Sequence, residues 1–525
     1  MKLKYLFVVL LVALFSCARR GSIGGGIKDE NAPIIISAIP THNATNFNTK
    51  EIRIYFDEYI KLNDLQEQLI ISPPLKYNPI ITPLGLPSKR LTIKISDTLK
   101  ANTTYVFNFG ESIEDNNEGN TLSNFKYVFS TGNYIDSLKI KGVIADAFSK
   151  ETADYVSVLL YEINENYKDS IIFKEKPAYV ANTLDSIAWE ITNIKKGKYK
   201  IIALKENTKN YVYNPKHDQI AFLDSIITIP TTKNFTLKLF KQTPDFNLVK
   251  PLEVAKGHLI FGYQGNAKKL KATLLDNEFE TASFFEKEKD TLHFFFKGKD
   301  LDSIKIKFEN NNFNEEKFIK LRLKKTDSLI IKNTIRQTLF LNDTIKLLSN
   351  IPLSKIDDSK ISLVDKDTVA IPFKTKIVTP QELKILFERK PENRYNLEIL
   401  PNAITDFFNQ TNDTLNYKFN TKKKTFYGGI NLKVTTKSYP IIVQLLSDKS
   451  EIISEIYAKN EQDFIFDNLV PLKYTFRVII DENKNKKWDS GNFINNKQPE
   501  KVYYYNKIIE VKENFFFGNE VFNID

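Results

Sequence analysis

The stretch EIRIYF at residues 51–56 alternates polar and apolar side chains, and it sets the pattern for the rest of the chain. The alternation returns in LTIKI at residues 91–95 and KYVF at residues 126–129, with turn-forming Asn, Asp, Gly and Pro between the runs. A period of two puts successive side chains on opposite faces of a β-strand. Residues 62–69 allow one or two helical turns, and we find no long amphipathic helix pattern. The sequence therefore predicts an all-β chain.

Two internal repeats indicate how the chain is divided. In the first, a polar turn leads into a closing aromatic strand, as in IEDNNEGN and YVFSTG within residues 113–132 and ITD and NDTLNYKFNT within residues 404–421. In the second, a turn precedes a tyrosine-led strand that ends in a polar loop, at residues 193–207 and 468–483. The repeats predict the order A, B, an unmatched stretch, A and B.

The repeats, together with a length of 525 residues, predict several domains. KGHLIFGY at residues 256–263 and LHFFF at residues 292–296 predict a β-sandwich of unassigned type in the unmatched stretch. Glycine and charge leave little to bury just after residue 17, which predicts a flexible tether. The predicted segments are a signal peptide at 1–17, the tether at 18–32, and modules at 33–132, 137–240, 243–329, 330–422 and 425–525.

The first 17 residues have the order of an export signal. Lys2 and Lys4 precede an apolar run at residues 5–15, and Ser16 stands before Cys17. This ending resembles the bacterial lipobox, in which the cysteine is lipidated. A cut signal with an incidental Cys17 is one alternative, and a membrane-spanning anchor, which needs about 20 apolar residues, is the other. Because Cys17 is the only cysteine, lipidation leaves no thiol for a disulfide, a metal or catalysis.

The formal net charge of +11 does not by itself indicate a nucleic-acid partner. Lysines alternate with acidic residues instead of clustering, so we expect no nucleic-acid binding. Such a diffuse charge is better suited to attracting anionic lipid or polysaccharide, and the alternative is that it only forms a solvated surface.

Three resemblances connect these patterns to known families. PTHN, IRIYFDE, NTTYVF and FSTG within residues 40–132 resemble the SbsA-type bacterial Ig-like domain of surface-layer proteins. GKY at residues 197–199 resembles the transthyretin-like or carboxypeptidase-regulatory β-sandwich, although the second copy has Leu472 where glycine is usual. CARRGS at residues 17–22, followed by glycines at 24–26, is similar to the start of Ig-like lipoproteins of the Bacteroidota.

The resemblances imply a multi-domain string of Ig-like and transthyretin-like β-sandwiches. They also imply a lipid anchor in the outer membrane, on its periplasmic or its surface face, and a non-catalytic role without a cofactor. Ala18 after the lipidated cysteine agrees with the sorting pattern for the outer membrane.

One loop, DENKNKKWD at residues 481–489, has oxygen-bearing side chains at alternate positions. Asp481, Asn483, Asn485 and Asp489 make it a weak candidate for calcium binding. Helix-loop-helix calcium sites have Gly at the sixth position and Glu at the twelfth, where this loop has Lys486 and Asn492. The alternative is a polar inter-strand loop with Trp488 packed beneath it. DNNEG at residues 115–119 predicts a turn for the same reason.

The sequence does not predict an enzyme. His42, His217, His258 and His293 are far apart in sequence, and none belongs to a His-Glu-x-x-His motif. No Gly-x-Ser-x-Gly elbow occurs either. Two functions stay open. The modules are spacers or docking surfaces for an envelope protein partner, or one module binds a glycan or peptide by stacking on Trp488 and the tyrosines at residues 503–505.

A triplet of Asp, then Ser or Thr, then an aliphatic residue recurs along the chain. It is similar to the O-glycosylation sequon of exported Bacteroidota proteins. The alternative is a turn that opens the next strand, and both interpretations can hold together. The hydroxyl-bearing residues of the triplets are Thr98, Ser137, Ser170, Ser186, Ser225, Thr291, Ser303, Ser328, Thr344, Thr368 and Thr414.

Overall fold

The computed structural model describes residues 28–524 except 276–278, 287–288, 299–300, 312 and 336. The predicted signal at 1–17 with Cys17, and the tether up to residue 27, lie outside the described residues. Helical structure in the described part is limited to α1 (Leu65–Gln68) and three short 3-10 segments, at Asp169–Phe173, Asp358–Lys360 and Lys424–Phe426. The prediction of an all-β chain is confirmed.

The first Ig-like sandwich has eight strands. Its two sheets have the orders β1-β2-β5-β4, with β7 on β2, and β3-β6-β8. Side chains at alternate positions of the second strand, Ile52, Ile54 and Phe56, are buried between the sheets, as the period of two predicts. The strands are β1 Ile35–Ile39, β2 Glu51–Leu62, β3 Ile70–Ser72, β4 Ile80–Thr82, β5 Ser88–Lys94, β6 Thr104–Asn108, β7 Ile113–Asp115 and β8 Lys126–Ser130.

Phe129 on β8 is the centre of this first core. Its ring stacks on Phe47 at 3.9 Å and on Tyr105 at 5.5 Å between ring centroids. The segment before β2 runs along β8, because Asn43 N–H donates to the Val128 carbonyl at 2.9 Å. The free edge of β8 is therefore partly covered by the chain itself.

The second sandwich has sheet orders β11-β10-β13-β14, with β15 on β13, and β12-β9-β16. Its strands are β9 Leu138–Asp146, β10 Ser157–Glu162, β11 Tyr179–Asn182, β12 Ala188–Ile194, β13 Gly197–Lys205, β14 Gln219–Phe222, β15 Ile227–Ile229 and β16 Asn234–Leu239.

The middle sandwich has sheet orders β17-β19-β22-β21, with β18 on β19, and β20-β23-β24. The predicted strands at 256–263 and 292–296 coincide with β19 and β22. The strands are β17 Asn247–Leu248, β18 Leu252–Ala255, β19 His258–Gln264, β20 Lys271–Leu274, β21 Thr281–Phe285, β22 Thr291–Phe296, β23 Ser303–Asn310 and β24 Phe313–Lys320.

The fourth sandwich repeats the topology of the first. Its sheets have the orders β25-β26-β30-β29, β27-β32 and β28-β31-β33, so that β26 and β27 together replace the long β2. The strands are β25 Ile331–Asn333, β26 Ile345–Ser349, β27 Leu353–Ile356, β28 Ile361–Val364, β29 Phe373–Thr379, β30 Glu382–Phe387, β31 Arg394–Ile399, β32 Ile404–Asp406 and β33 Leu415–Asn420.

The last sandwich repeats the strand order of the second, with sheets β36-β35-β38-β39, β40 on β38, and β37-β34-β41. Strands β34 and β41 pair in parallel. The strands are β34 Gly428–Thr435, β35 Ile441–Ser447, β36 Ile452–Ala458, β37 Asp463–Leu469, β38 Lys473–Ile480, β39 Val502–Tyr504, β40 Ile509–Glu510 and β41 Phe516–Asn523.

The tyrosine-led strands of the second repeat share one hydrogen bond from the tyrosine hydroxyl to the backbone. The Tyr199 hydroxyl donates to the Lys195 carbonyl at 3.0 Å, and the Tyr474 hydroxyl donates to the Val470 carbonyl at 2.9 Å. Asn193 and Asn468, four and five residues before the start of these strands, lie near the ends of β12 and β37 and have a positive φ, at 59° and 54°. The turn therefore does not depend on glycine, which explains how the second copy accommodates Leu472.

The described chain is organised in two compact units. One comprises the described residues up to Ala145 together with Glu151–Tyr213 and Ala221–Lys238, and the other comprises Asp146–Lys150, Asn214–Ile220 and the described residues from Leu239 onward. In the first unit the outer face of the β3-β6-β8 sheet packs on the second sandwich, where Val180 N–H donates to Ser72 Oγ at 3.0 Å. No helix in the described residues is long and apolar enough to cross a membrane.

Gly142 on β9 permits a close approach that any side chain would prevent. A Cβ there would lie 2.0 Å from the Phe235 carbonyl oxygen and 2.6 Å from Trp189 Cζ2. We expect Gly142→Ala to lower the free energy of unfolding of the second sandwich by about 1–3 kcal/mol, because the backbones must separate. Gly518 on β41 has nothing within 4 Å of the same position, so Gly518→Ala is the matched control.

Tryptophan fluorescence during urea unfolding measures this effect locally. The chain has two tryptophans, Trp189 in the second sandwich and Trp488 in the last, so a Trp488→Phe background isolates Trp189. The control variant is read from Trp488 in a Trp189→Phe background, and we expect its change to stay within about 0.5 kcal/mol. An unchanged midpoint for Gly142→Ala would contradict the predicted clash.

Candidate functional site

The loop after β38 is held together by the carboxylate of Asp481. This side chain is fully buried at the end of a central strand. Its Oδ1 accepts the backbone N–H of Asn485 at 3.0 Å, and its Oδ2 accepts that of Lys486 at 2.8 Å. A buried carboxylate that accepts backbone N–H groups closes the loop without an external ligand.

The structure brings the other three predicted calcium ligands together. The side-chain amides of Asn483 and Asn485 both donate to Asp489 Oδ2. Their carbonyl oxygens are engaged as well, because Asn483 Oδ1 accepts from Asn485 N–H at 3.1 Å and Asn485 Oδ1 accepts from Lys487 N–H at 3.0 Å. Within the described residues, no three His, Cys, Asp or Glu side chains form a metal-binding cluster. The calcium site stays a prediction.

Two further buried aspartates have the same role. Asp115 at the end of β7 accepts N–H groups from all four residues at 117–120, at 2.6–3.1 Å. The predicted turn at 115–119 is confirmed. Asp406, at the equivalent end of β32, accepts N–H groups from Phe408 and Gln410, both at 2.8 Å. These carboxylates build loops, and sequence spacing alone did not indicate that they are buried.

The balance between burial and N–H donors sets the direction of each pKa shift. Burial is the largest influence at Asp115 and raises its pKa, but the four backbone N–H groups together lower the pKa below the ordinary value. At Asp406 burial again raises the pKa, and two N–H groups do not offset it. Asp406 Oδ2 has no hydrogen-bond partner among the described residues.

Trp488 is half-buried beside the Asp481 loop. Its Nε1–H donates to the Glu500 carbonyl at 3.0 Å, and its ring lies 4.7 Å from that of Phe148 between centroids. Packing of Trp488 at this loop agrees with the polar-loop alternative. Stacking of a ligand on the exposed part of the ring stays a prediction.

The neighbouring tyrosines at residues 503–505 do not form the exposed stacking surface that we expected from the sequence. Tyr505 is only 3 % exposed and packs against Phe476 and Phe522 in the core, so the expectation that its ring is exposed is wrong. Tyr505 N–H still donates to the Phe476 carbonyl at 2.9 Å, so the alternation continues past β39 and places Tyr505 on the core side together with Tyr503. Tyr504 is half-buried, and its hydroxyl donates to the Phe148 carbonyl at 2.7 Å. Tyr503 is also half-buried and packs against the core of the last sandwich.

The predicted glycosylation hydroxyls mostly stand in exposed turns. Ser137, Thr344 and Thr414 directly precede β9, β26 and β33, and Thr291 and Ser303 are the first residues of β22 and β23, as the turn alternative predicts. Modification of these residues stays a prediction. The half-buried ones are Thr291, Ser303 and Thr344, and the exposed ones are Thr98, Ser137, Ser170, Ser186, Ser225, Ser328, Thr368 and Thr414.

A groove in the fourth sandwich was not predicted. It has a volume of about 1900 Å³ and lies beside the edge strand β33. Much of its polar lining is used by the sandwich itself. Asn393 Oδ1 accepts N–H groups from Lys366 and Arg394, and Asn333 is bonded through its amide to both backbone groups of Ile335. These side-chain amides stabilise local turns. The sequence repeats did not predict the groove.

Comparison with known proteins places the first sandwich in a family. Residues 29–131 match the family described as Bacterial Ig-like domain, Big_5. This part of the chain is a bacterial Ig-like domain. No curated protein sequence matches the chain.

Three solved structures illustrate what the whole chain is similar to. The TIE protein of Bacillus anthracis is 10 % identical over 98 % of this chain and 78 % of its own, with a TM-score of 0.16. The S-layer protein rSbsC(31-844) is 9 % identical over 92 % and 68 %, with a TM-score of 0.15. The BSP domain of a biofilm associated protein is 8 % identical over 96 % and 99 %, with a TM-score of 0.15. At these TM-scores the likenesses carry no functional argument.

Replacement of Asp481 tests whether its carboxylate organises the loop. We expect Asp481→Ala to lower the free energy of unfolding of the last sandwich by about 1–3 kcal/mol, because two backbone N–H groups lose their acceptor. Trp488 fluorescence in a Trp189→Phe background reports the change during urea unfolding. Asp467→Ala, which removes an exposed carboxylate of β37, is the control and should leave the midpoint unchanged.

The same measurement decides between calcium and the polar-loop alternative. Since the loop oxygens already accept N–H groups, we expect equal midpoints in millimolar calcium and in chelator. A midpoint that rises with calcium in the native chain, and does not rise in Asp481→Ala, would establish a cation site instead.

Proposed function

We propose that the chain is a non-catalytic cell-envelope lipoprotein of the outer membrane, anchored through lipid on Cys17. Its β-sandwiches act as structural spacers or as docking surfaces for another envelope protein. The non-catalytic part of this proposal is supported by the hydrogen bonds that the buried aspartates make. Asp115, Asp406 and Asp481 could each do acid-base chemistry, yet each binds the backbone N–H groups of its own loop.

We also propose the division into modules at 33–132, 137–240, 243–329, 330–422 and 425–525, with transthyretin-like folds for the second and the last. Four hydrophobic clusters each lie within one of these ranges, at 47–129, 248–319, 339–419 and 430–524. None of the described strands crosses a proposed boundary. A smaller cluster of Phe284, Phe295, Ile351 and Phe407 joins the modules at 243–329 and 330–422. Large cores within the modules and short connections between them are what a spacer requires.

Cys17→Ser tests the anchor. We expect the native chain to partition into detergent and to incorporate labelled fatty acid. Each buried methylene contributes about 0.8 kcal/mol, so firm anchoring requires more than one acyl chain. The variant should incorporate no label. Ser16→Ala is the matched control, because it changes the neighbouring residue and leaves the thiol. Equal labelling of Cys17→Ser and the native chain would contradict the proposal.

Capture of partners from envelope membranes tests the role of the modules. If they dock a protein, crosslinking of the native chain in cells should recover one envelope protein in a fixed ratio, and Cys17→Ser should lose it through mislocalisation. Recovery of no protein, together with retention on a glycan array, would favour the second function.

The second candidate function is binding of a glycan or peptide, and the half-buried Trp488 supports it because part of its ring remains accessible. Trp488→Ala should then abolish retention on the array. Trp189→Phe, which changes a buried ring in another sandwich, should have no effect.

A further inference from the structure

His258 and His293 form a hydrogen-bonded pair on the face of the β17-β19-β22-β21 sheet that points away from the core of the middle sandwich. On this face Phe284 and Phe295 pack with Ile351 and Phe407 of the fourth sandwich. They lie on the neighbouring strands β19 and β22, and His258 Nε2 is 3.0 Å from His293 Nδ1. Phe295 stacks on His258 at 4.1 Å and 13°, and Phe284 stacks on His293 at 4.7 Å and 11°. The two imidazoles are therefore fixed nearly edge to edge, with aromatic rings packed against them. Only 6 % of His258 is exposed.

A carboxylate stands at each end of this pair. Glu286 Oε2 lies 3.4 Å from His293 Nε2, and Asp327 Oδ2 lies 3.7 Å from His258 Nδ1. Glu286 also pairs with Lys289 at 2.6 Å, so one cation faces the pair from the turn after β21. Asp327, Glu286 and Lys289 are the charged groups acting on the imidazoles from the packed elements.

Counting hydrogens shows what this row requires. It has three contacts, Asp327 to His258, His258 to His293, and His293 to Glu286. Two neutral imidazoles carry only two N–H groups, so one of the three contacts has no hydrogen between its two atoms. The longest of the three contacts is at His258 Nδ1, which lies 3.7 Å from Asp327 Oδ2, is buried and has no hydrogen-bond partner among the described residues. One added proton supplies the third N–H, whereas a second would set two N–H groups against each other between the rings.

We propose that His258 and His293 take up one proton between them in acid, and that this proton fastens the segment carrying Asp327 to the middle sandwich. Residues 321–330 form no regular secondary structure and lead from the middle sandwich to the fourth. The Gln410 side-chain amide donates to the Asp327 carbonyl at 2.6 Å and accepts Leu329 N–H at 3.1 Å. The segment is therefore already hydrogen-bonded to the fourth sandwich at Asp327, the residue whose carboxylate faces His258.

The direction of the pH dependence follows from burial. Burial lowers the pKa of His258 to about 4, and the charge of His293 adds to this effect while Asp327 opposes it. Burial also lowers the pKa of His293 despite Glu286. The unfolded chain binds these protons near pH 6.5, so the folded state loses stability as pH falls below that value toward 4. Uptake of the shared proton occurs within this window.

Ring-nitrogen NMR of the full chain labelled in histidine tests the proposal directly, since the sequence has four histidines. We expect the rings of His258 and His293 to shift together, with a common midpoint below pH 6.5 and with one proton for the pair above pH 4. Independent one-proton titrations of the two rings would overturn the proposal. The native chain alone gives this result, so it does not depend on whether a variant folds.

Asp327→Asn tests the coupling to the segment. We expect it to move the common midpoint to lower pH by about one unit, because a facing negative charge is lost. Amide exchange of residues 322–330, corrected for its intrinsic pH dependence, should slow on proton uptake in the native chain and not in the variant. Glu316→Gln, which removes an exposed carboxylate of β24, is the control. An Asp327→Asn midpoint equal to the native one would refute the proposed link.

Discussion

This structure depends on one constraint, which is that the backbone N–H groups in buried loops need hydrogen-bond acceptors. A chain of short strands has many turns, and a buried turn cannot leave its donors unpaired without a cost of about 1–3 kcal/mol each. Asp115 accepts four such donors and Asp481 accepts two, each from a fully or almost fully buried position. Both aspartates stand at the end of a strand, so strand and loop are fixed together.

The two Ig-like copies show how neighbours reshape a repeated fold. Their strand orders match, yet the outer face of the first copy carries Val106 and Val128 where it packs on the second sandwich. In the fourth sandwich the equivalent face carries Asn396 and Lys418, and it borders the open groove. Of these two equivalent faces, only the one that another sheet covers carries apolar residues, which agrees with the tendency of exposed apolar faces to associate. The repeat in sequence therefore describes the core of each copy and not its surroundings.

Local patterns in the sequence predicted the local features well. The period of two at residues 51–56 buries Ile52 and Ile54, and the repeated tyrosines form the same backbone bond in both copies. Features made by distant residues gave no such signal. His258 and His293 are 35 residues apart and meet only because β19 and β22 pair. Tyr505 continues a run of tyrosines, and it enters the core because it pairs with Phe476 of β38 and lies on the same side as Tyr503, which the run itself does not show.

The aspartate loops also bear on which chemistry the chain can perform. A calcium ion at the loop after β38 would need the oxygens of Asp481, but these already accept the N–H groups of Asn485 and Lys486. Each oxygen accepts one N–H group, so an ion would have to bind through the second lone pair of a fully buried carboxylate. The same reasoning applies to acid-base chemistry at Asp115. Four N–H donors hold its pKa low, so the carboxylate stays ionised and is a poor base. A side chain that organises a loop this completely has little capacity left for a substrate, which favours a structural role for these modules.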